Sequence, residues 1–339
     1  MKMIFVTGCD AAFFNTLLIT LQSFAETLPD QQLLVCDYGL HPQQAQYLRI
    51  RGQLLERPLG LQEGIHVTGY KAALVRYLKH SKRYQASTDL VIWIDADLTF
   101  IDIGIQDFEK VMQAMDERQC DVAACSIGST IEDMCHIFVD PAVLAPFKAI
   151  VQTSSINTQA PYFSTGIFFC RSEKLLQHWD ERTSQLEFHP LYEQNMFNVV
   201  LQEDKTPYLD LDIEMWQVQG AVLDRLALLP KPNGRASATV GDKTIKILHS
   251  TSPLPNHLWV GRAQFQVQDV QLLGLLKLIA IRPITELQLN LLASYVSTHK
   301  QALFDAGLIG LAPRAINGYE FAPILDDQRP VMTSAPAMK

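Results

Sequence analysis

The chain has 339 residues, enough for one large α/β domain or two ordinary ones, and 48% of them are hydrophobic against 19% charged. That composition is globular and excludes disorder over most of the length. The formal net charge of -8 excludes a general nucleic-acid binder, which needs basic faces to displace counterions from phosphates, whereas a small anionic ligand stays compatible because a local site need not follow the global charge.

The opening MKMIFVTGCD reads as a buried strand, centred on residues 4–8, that enters a turn. Its apolar run is too short for a signal peptide, and no small-residue cleavage site follows. Phe14, Leu17, Leu18, Leu21, Phe24 and Leu28 then recur at helical spacing, predicting a helix over 11–28. QLLVCDY (32–38) predicts a second strand, followed by a short helix with Pro42 in its first turn. Residues 54–57 suit a third strand, and Thr68 is placed to cap a helix running to about Lys79. DLVIWIDAD (89–97) is a nearly continuous apolar run ending in acid, the pattern of a central strand buried on both faces. Strands are expected at 121–127, 162–170 and 245–249, and helices at 173–186 and 191–202.

From 264 onward the pattern reads as helical, with Pro283 and Gly307 as breaks, and 318–339 reads as a loose tail. Repeated strand–helix units predict a mostly parallel central sheet with helices on both faces. The expected organisation is therefore a catalytic domain at 1–263, a helical appendage at 264–317 and a tail at 318–339. The run from Leu272 to Ile281 is interrupted by Lys277 and is too short to span a bilayer. It requires burial against the catalytic domain, a second subunit or a membrane surface. The appendage is accordingly assigned to acceptor recognition or assembly, with homo-oligomer or peripheral membrane contact through 264–297, and not to donor chemistry.

The six cysteines, Cys9, Cys36, Cys120, Cys125, Cys135 and Cys170, are scattered with no CxxC. This suits buried thiols in a reducing cytoplasm better than a zinc site built from Cys120, Cys125, Cys135 and His136.

The most informative stretch is Val91–Asp97. Asp95 and Asp97, two residues apart at a strand terminus, can point to one side, and open α/β sheets bind ligands beyond the carboxyl ends of their strands. Two hard oxygen ligands there suit Mg²⁺ or Mn²⁺ bridging to phosphate oxygens. A second Asp-x-Asp, Asp210 and Asp212, follows a short Pro-Tyr-Leu stretch and reads as a turn or cap. Asp95-Ala-Asp97-Leu-Thr99 is also similar to the first motif of the haloacid-dehalogenase phosphatases, where the first Asp is a nucleophile and the second an acid/base. The later metal motif of that family is incomplete at Gly241-Asp242, and three strands precede Asp95.

Over roughly residues 3–250 the chain resembles the nucleotide-diphospho-sugar transferases of the GT-A fold, closest to glycosyltransferase family 8, the glycogenin and bacterial galactosyltransferase group. IFVTGCDAAFFNTLLITLQSF is similar to that family's first strand, donor-base loop and first helix. The resemblance implies Thr7 and Asp10 on the donor's base or ribose and Lys71 near the donor phosphates. It implies Asp95 and Asp97 as the metal-binding pair, with His249, in Ile247-Leu248-His249, as a third ligand to Mn²⁺ or Mg²⁺. Tyr162-Phe-Ser-Thr-Gly-Ile167 looks like the family's Phe-Asn-[Ser/Ala]-Gly strand, implying Ser164, Thr165 and Gly166 against the donor sugar. Tyr192–Asn198 looks like its Asp-Gln-x-x-x-Asn helix, implying Glu193 and Gln194 beneath the sugar.

What the resemblance implies is a cytoplasmic, metal-dependent hexosyltransferase. It would use a nucleotide-sugar donor, a UDP-sugar first, and a glycan, lipid-linked or protein acceptor, with retention at the anomeric carbon. Were the chemistry inverting, Glu193 or Asp133 would be the candidate base.

The sequence also departs from the family pattern. Ser164 stands at the family's Asn and Glu193 at its Asp, and the Gly and Lys expected after His249 are missing. His257 and Arg262 are the nearest candidates for a replacement phosphate clamp. Two readings from other classes stand beside this one: a phosphatase using Asp95 and Asp97, and a sugar-nucleotide-binding protein without turnover.

Overall fold

The computed structural model describes residues 2–61, 66–86, 88–138, 140–230, 236–252 and 254–324. Strand β1 (Lys2–Cys9) leads into α1 (Phe14–Thr27), β2 (Leu33–Asp37), α2 (Pro42–Ile50) and β3 (Leu54–Leu55). A broken helix follows, α3 (Gly69–Ala72) and α4 (Leu74–Ser81), before β4 (Asp89–Ile94) and β5 (Leu98–Phe100). Then come α5 (Ile105–Glu117), β6 (Val122–Thr130), α6 (Ile131–Met134), α7 (Ala145–Thr153) and β7 (Pro161–Cys170). Helices α8 (Glu173–Ser184) and α9 (Tyr192–Glu203) precede β8 (Tyr208–Leu211) and α10 (Ile213–Trp216).

Seven of these strands form the central sheet in the order β3-β2-β1-β4-β7-β6-β8. All run parallel except β7, which pairs antiparallel with both β4 and β6. The mostly parallel sheet read from the repeated units is therefore present. Alternation along its strands explains the two cores. Phe5 and Ile92 enter one apolar cluster with Leu17 of α1 and Phe108 of α5. Val6, Val91 and Trp93 enter the other with Tyr77 of α4, Trp179 of α8 and Phe197 of α9. All six residues of β4 are buried, as expected of a strand covered on both faces.

Thr68 does not cap. Its backbone is helical, its side chain makes no cap bond, and its hydroxyl sits 2.9 Å from His66 Nδ1. Asp212 does cap, accepting from the Glu214 amide at 3.0 Å, while Asp210 accepts from the Ser126 amide at 2.9 Å. The second Asp-x-Asp is thus structural.

The C-terminal third departs most from expectation. After a small antiparallel sheet of β9 (Leu226–Pro230), β10 (Ala236–Val240) and β11 (Lys243–Thr244), the chain forms β12 (Ile247–His249). It then forms a long hairpin of β13 (Leu258–Val267) and β14 (Val270–Ile279), where a helix was predicted. β13 runs straight through the expected boundary at 263/264. Helices α11 (Arg282–Thr298) and α12 (Lys300–Asp305) follow, then β15 (Gly310–Leu311) and β16 (Tyr319–Pro323).

β16 pairs with β13, so the first part of the expected tail is sheet; 325–339 lie outside the described residues. A near-continuous apolar run cannot be told from a helix by periodicity. The hairpin turn is also disguised, because Gln268 adopts φ 53° where Gly or Asn would announce a turn. Leu272, Leu276, Leu278, Leu289 and Leu292 are all buried in the same cluster as Phe5 and Leu17. The apolar segment is thus covered by the chain's own sheet and α1. Among the described residues no helix is long and apolar enough to cross a membrane.

Candidate active site

The site forms where β4 ends. Asp95-Ala96-Asp97 turns the chain from β4 into β5, and β5 pairs antiparallel with β12 so that Leu98 faces His249. This pairing carries His249 to the acidic turn from more than 150 positions away. One ligand atom from each of Asp95, Asp97 and His249 can be chosen so that all lie within 4.8 Å of one another. His249 Nε2 is 3.2 Å from Asp97 Oδ1 and 3.8 Å from Asp95 Oδ2. Its Nδ1 is 3.0 Å from Gln217 Nε2, which also donates to Ser164 Oγ at 2.6 Å. A partner on the second ring nitrogen fixes the imidazole's orientation, as happens where a histidine ligates a metal through its other nitrogen.

Two oxygen donors and one nitrogen in this arrangement fit a hard or borderline divalent cation. No other group of three such side chains among the described residues fits. The six cysteines are all unpaired thiols buried in the protein.

Two lysines neutralise the acids from opposite sides. Lys71 of α3, which is buried, places Nζ 2.8 Å from Asp95 Oδ1 and 3.3 Å from Glu193 Oε1. It also reaches the Thr165 carbonyl at 3.3 Å and hydroxyl at 3.2 Å. Burial would lower the Lys71 pKa, but Asp95 and Glu193 outweigh it and raise it. Burial raises the Glu193 pKa, against the pull of Lys71. Asp97 shows the opposite balance. Burial works to raise its pKa, yet Lys277 and then His249 hold it well below the usual carboxylate range. Lys277 Nζ lies 2.6 Å from Asp97 Oδ2. The Trp93 indole N–H, two residues before Asp95 on the same side of β4, donates to Asp95 Oδ1 at 2.7 Å.

The floor is built by an irregularity in β7. Ala124 pairs with Phe168 but Cys125 pairs with Ser164, so Thr165, Gly166 and Ile167 bulge out of the ladder with β6. Bulges of this kind re-aim side chains beside active sites. The Gly166 carbonyl accepts from the Asp95 amide at 2.8 Å. A Cβ at Gly166 would meet Gln217 Nε2 at 2.6 Å and His249 Cε1 at 2.8 Å, so only glycine lets the imidazole lie this close. Gln194 Oε1 accepts from the Thr165 amide at 3.1 Å, and the Thr165 hydroxyl is 3.2 Å from Glu193 Oε2.

Lys71, Asp95, Asp97, Ser164, Thr165, Gly166, Glu193, Gln194 and His249 are thus brought together. Thr7 and Asp10 lie on the neighbouring strand β1 and its exit. The Thr7 hydroxyl is buried and has no partner among the described residues, and Asp10 accepts from the Phe13 amide at 2.9 Å. Asp133 caps α6 by accepting from the Thr130 amide at 2.8 Å. His257 is engaged by Asp224 at 3.0 Å and Ser252 at 3.3 Å, and Arg262 lies on β13. Asp242 is exposed in the β10–β11 turn, which does not complete a phosphatase motif.

Lys277 and Gln217 are the residues that sequence reasoning missed. Lys277 lies within 264–317, the stretch assigned away from donor chemistry, and β14 delivers this ammonium onto Asp97. The only signal in the sequence was a lone cation inside an apolar run, which reads as an interruption when it is in fact a side chain facing the opposite way from Leu276 and Leu278.

No family model matches the chain, and neither does any curated protein. Among solved structures it is similar to the galactosyltransferase LgtC in complex with donor and acceptor sugar analogues, with a TM-score of 0.45 and 14% identity, covering 76% of this chain and 88% of that one. It is similar to mouse xyloside xylosyltransferase 1 in its apo form, with a TM-score of 0.43 and 10% identity, covering 73% and 97%. It is also similar to the apo-form glycosyltransferase GlyE of Streptococcus pneumoniae TIGR4, with a TM-score of 0.37 and 15% identity, covering 62% and 45%. At these identities the functional reading rests on the site's own residues.

Proposed function

We propose that the chain is a metal-dependent glycosyltransferase that takes a sugar from a nucleotide-diphosphate donor, a UDP-sugar first, and transfers it with retention. The observation that carries this reading is the convergence of Asp95, Asp97 and His249 within 4.8 Å at the carboxyl edge of a mostly parallel sheet. Asp95, Asp97 and His249 would hold a divalent cation, which would supply Lewis-acid stabilisation of the departing nucleoside diphosphate, and Gln217 keeps the imidazole turned toward the two acids.

The residues around that centre divide the remaining work. Glu193 is buried and ion-paired to Lys71, so it positions the ammonium and the β7 bulge. Gln194 is less buried and anchored through the Thr165 amide, which leaves it the better placed of the two to face the electron-poor anomeric carbon. Thr7 and Asp10, on the adjoining strand exit, are assigned to the nucleoside. The acceptor is a glycan, lipid-linked or protein group met at the open side of the site.

The test is release of UDP or GDP from their hexose conjugates, with and without Mn²⁺. Turnover of one donor that requires the cation supports the proposal. Nucleotide binding without turnover would make the chain a binding protein, and release of inorganic phosphate from simple phosphomonoesters would make it a phosphatase.

A further inference from the structure

We propose that Lys277, carried to the site by the C-terminal hairpin, is the residue that grips the donor's diphosphate; this rests on the nucleotide-diphosphate reading above. An ammonium has three N–H donors and no acceptor. Lys71 is already saturated, because four oxygens from Asp95, Glu193 and Thr165 lie within 3.3 Å of its Nζ. It is also buried. Lys277 is in a different state. Among the described residues its Nζ has one hydrogen-bond partner, Asp97 Oδ2, and lies 6.0 Å from the centre of the Phe13 ring. Two of its N–H bonds are left to donate elsewhere, and its side chain keeps 17% of its surface open.

The backbone beneath this side chain is fixed. The Lys277 amide donates to Thr16 Oγ1 of α1 at 3.0 Å, and Leu276 and Leu278 on either side are buried. Alternation along β14 therefore turns the ammonium toward Asp97 and the β1–α1 junction at Phe13. Gln288 of α11 locks the same segment to the acidic shelf. Its Oε1 accepts from the Ile279 amide at 2.8 Å, while its Nε2 donates to Thr99 at 3.1 Å and Ser250 at 3.0 Å. Thr99 follows Asp97 by two residues and Ser250 follows His249, so one buried amide ties the hairpin to both strands that carry the acidic cluster.

Charge gives the same answer. Asp95, Asp97 and Glu193 against Lys71 and Lys277 leave one net negative charge around the site. A dication bound there would turn that balance to one net positive charge, with Lys277 among the groups that supply it. The described stretch after His249 does not offer a further donor, because His257 is held by Asp224 and Ser252 and Arg262 already has a partner. Lys277 is the cation with unspent donor capacity beside Asp97.

The experiment measures binding of uridine, UMP and UDP in Mn²⁺, and of Mn²⁺ without nucleotide, to the full-length wild type, Lys277→Gln and Lys277→Arg by calorimetry. Lys277→Gln should lose about tenfold or more in UDP affinity, the loss expected for a charge-assisted bond to phosphate, with uridine binding unchanged. Lys277→Arg should restore most of the UDP affinity. Equal UDP affinity in wild type and Lys277→Gln would overturn the proposal; so would a loss of UDP affinity matched by an equal loss of Mn²⁺ affinity without nucleotide, which would make Lys277 only a counter-ion of Asp97, or a parallel loss of uridine and UDP, which would mean a general disturbance of the site. If Lys277→Gln fails to fold, the arginine variant decides: UDP affinity within about threefold of wild type supports the role, and a loss shared with uridine overturns it. Wild type that binds no UDP would instead defeat the UDP-donor reading itself.

Discussion

The sheet edge around β4 and the C-terminal hairpin meet at one site but are built on opposite principles. The sheet edge is local. Trp93, Asp95 and Asp97 are near neighbours in sequence: the fully buried β4 ends at Ile94, and the short turn into β5 presents both acids. The hairpin reaches the same point from 180 residues away, and its contribution exists only because β14 and α11 pack on α1. A site residue can therefore come from a segment whose own sequence advertises nothing but burial.

The sharpest way to break this comparison is to cut the hairpin off. Truncation after residue 263 severs β13 and removes Leu272, Leu276, Leu278, Leu289 and Leu292 from the cluster that contains Phe5 and Leu17. We expect loss of the folded protein, seen as loss of a cooperative melt, because each large side chain removed from such a core costs about 2–5 kcal/mol. A folded truncation product that still hydrolyses donor would show that the two regions are separable.

Within the sheet edge, Asp97→Asn removes a carboxylate that faces both His249 and Lys277. Mn²⁺-dependent donor turnover should fall by about 10²–10³-fold, the loss of several kcal/mol of charge stabilisation, in a protein that still folds but melts lower because Lys277 and His249 lose their partner. Wild-type turnover would remove Asp97 from the site.

Gln288→Ala tests the joint between the two regions. It strips partners from the Ile279 amide, Thr99 and Ser250, all buried around it. A destabilisation of about 2–3 kcal/mol is expected by thermal or denaturant unfolding. Cation affinity should weaken in parallel if the joint sets the geometry of the acidic turn.

The smallest expected effect lies at the outer seam, where Tyr295 OH meets Tyr47 OH at 2.9 Å and the His299 ring sits beside the Arg51 guanidinium. Burial, then Arg51, lower the His299 pKa to about 4. The unfolded chain takes up this proton near its ordinary value of about 6.5. The stability it supports is therefore whole above about pH 6.5, falls as pH drops toward 4, and levels off below. Because the ring is half-exposed, the effect should not exceed about 1 kcal/mol. Melting curves of His299→Ala against wild type from pH 7 to 4 should show the acid-side decline flattened by that amount.

The repeating strand–helix units, the buried β4 followed by its two acids and the structural character of Asp210 and Asp212 were legible from the residues alone, because each follows from periodicity or composition within a few residues. The order of motifs also pointed to Lys71, Glu193, Gln194 and His249 as neighbours of the acidic turn. Only the tertiary structure decided that Leu272–Ile281 is a strand. A continuous apolar run carries no period, and Gln268 hides the turn. Only packing set Gln217 behind His249, Gln288 between Thr99 and Ser250, and Lys277 on Asp97. Those contacts join residues 32 to 189 positions apart, and a polar side chain gives no local sign of which distant backbone or acid it will satisfy.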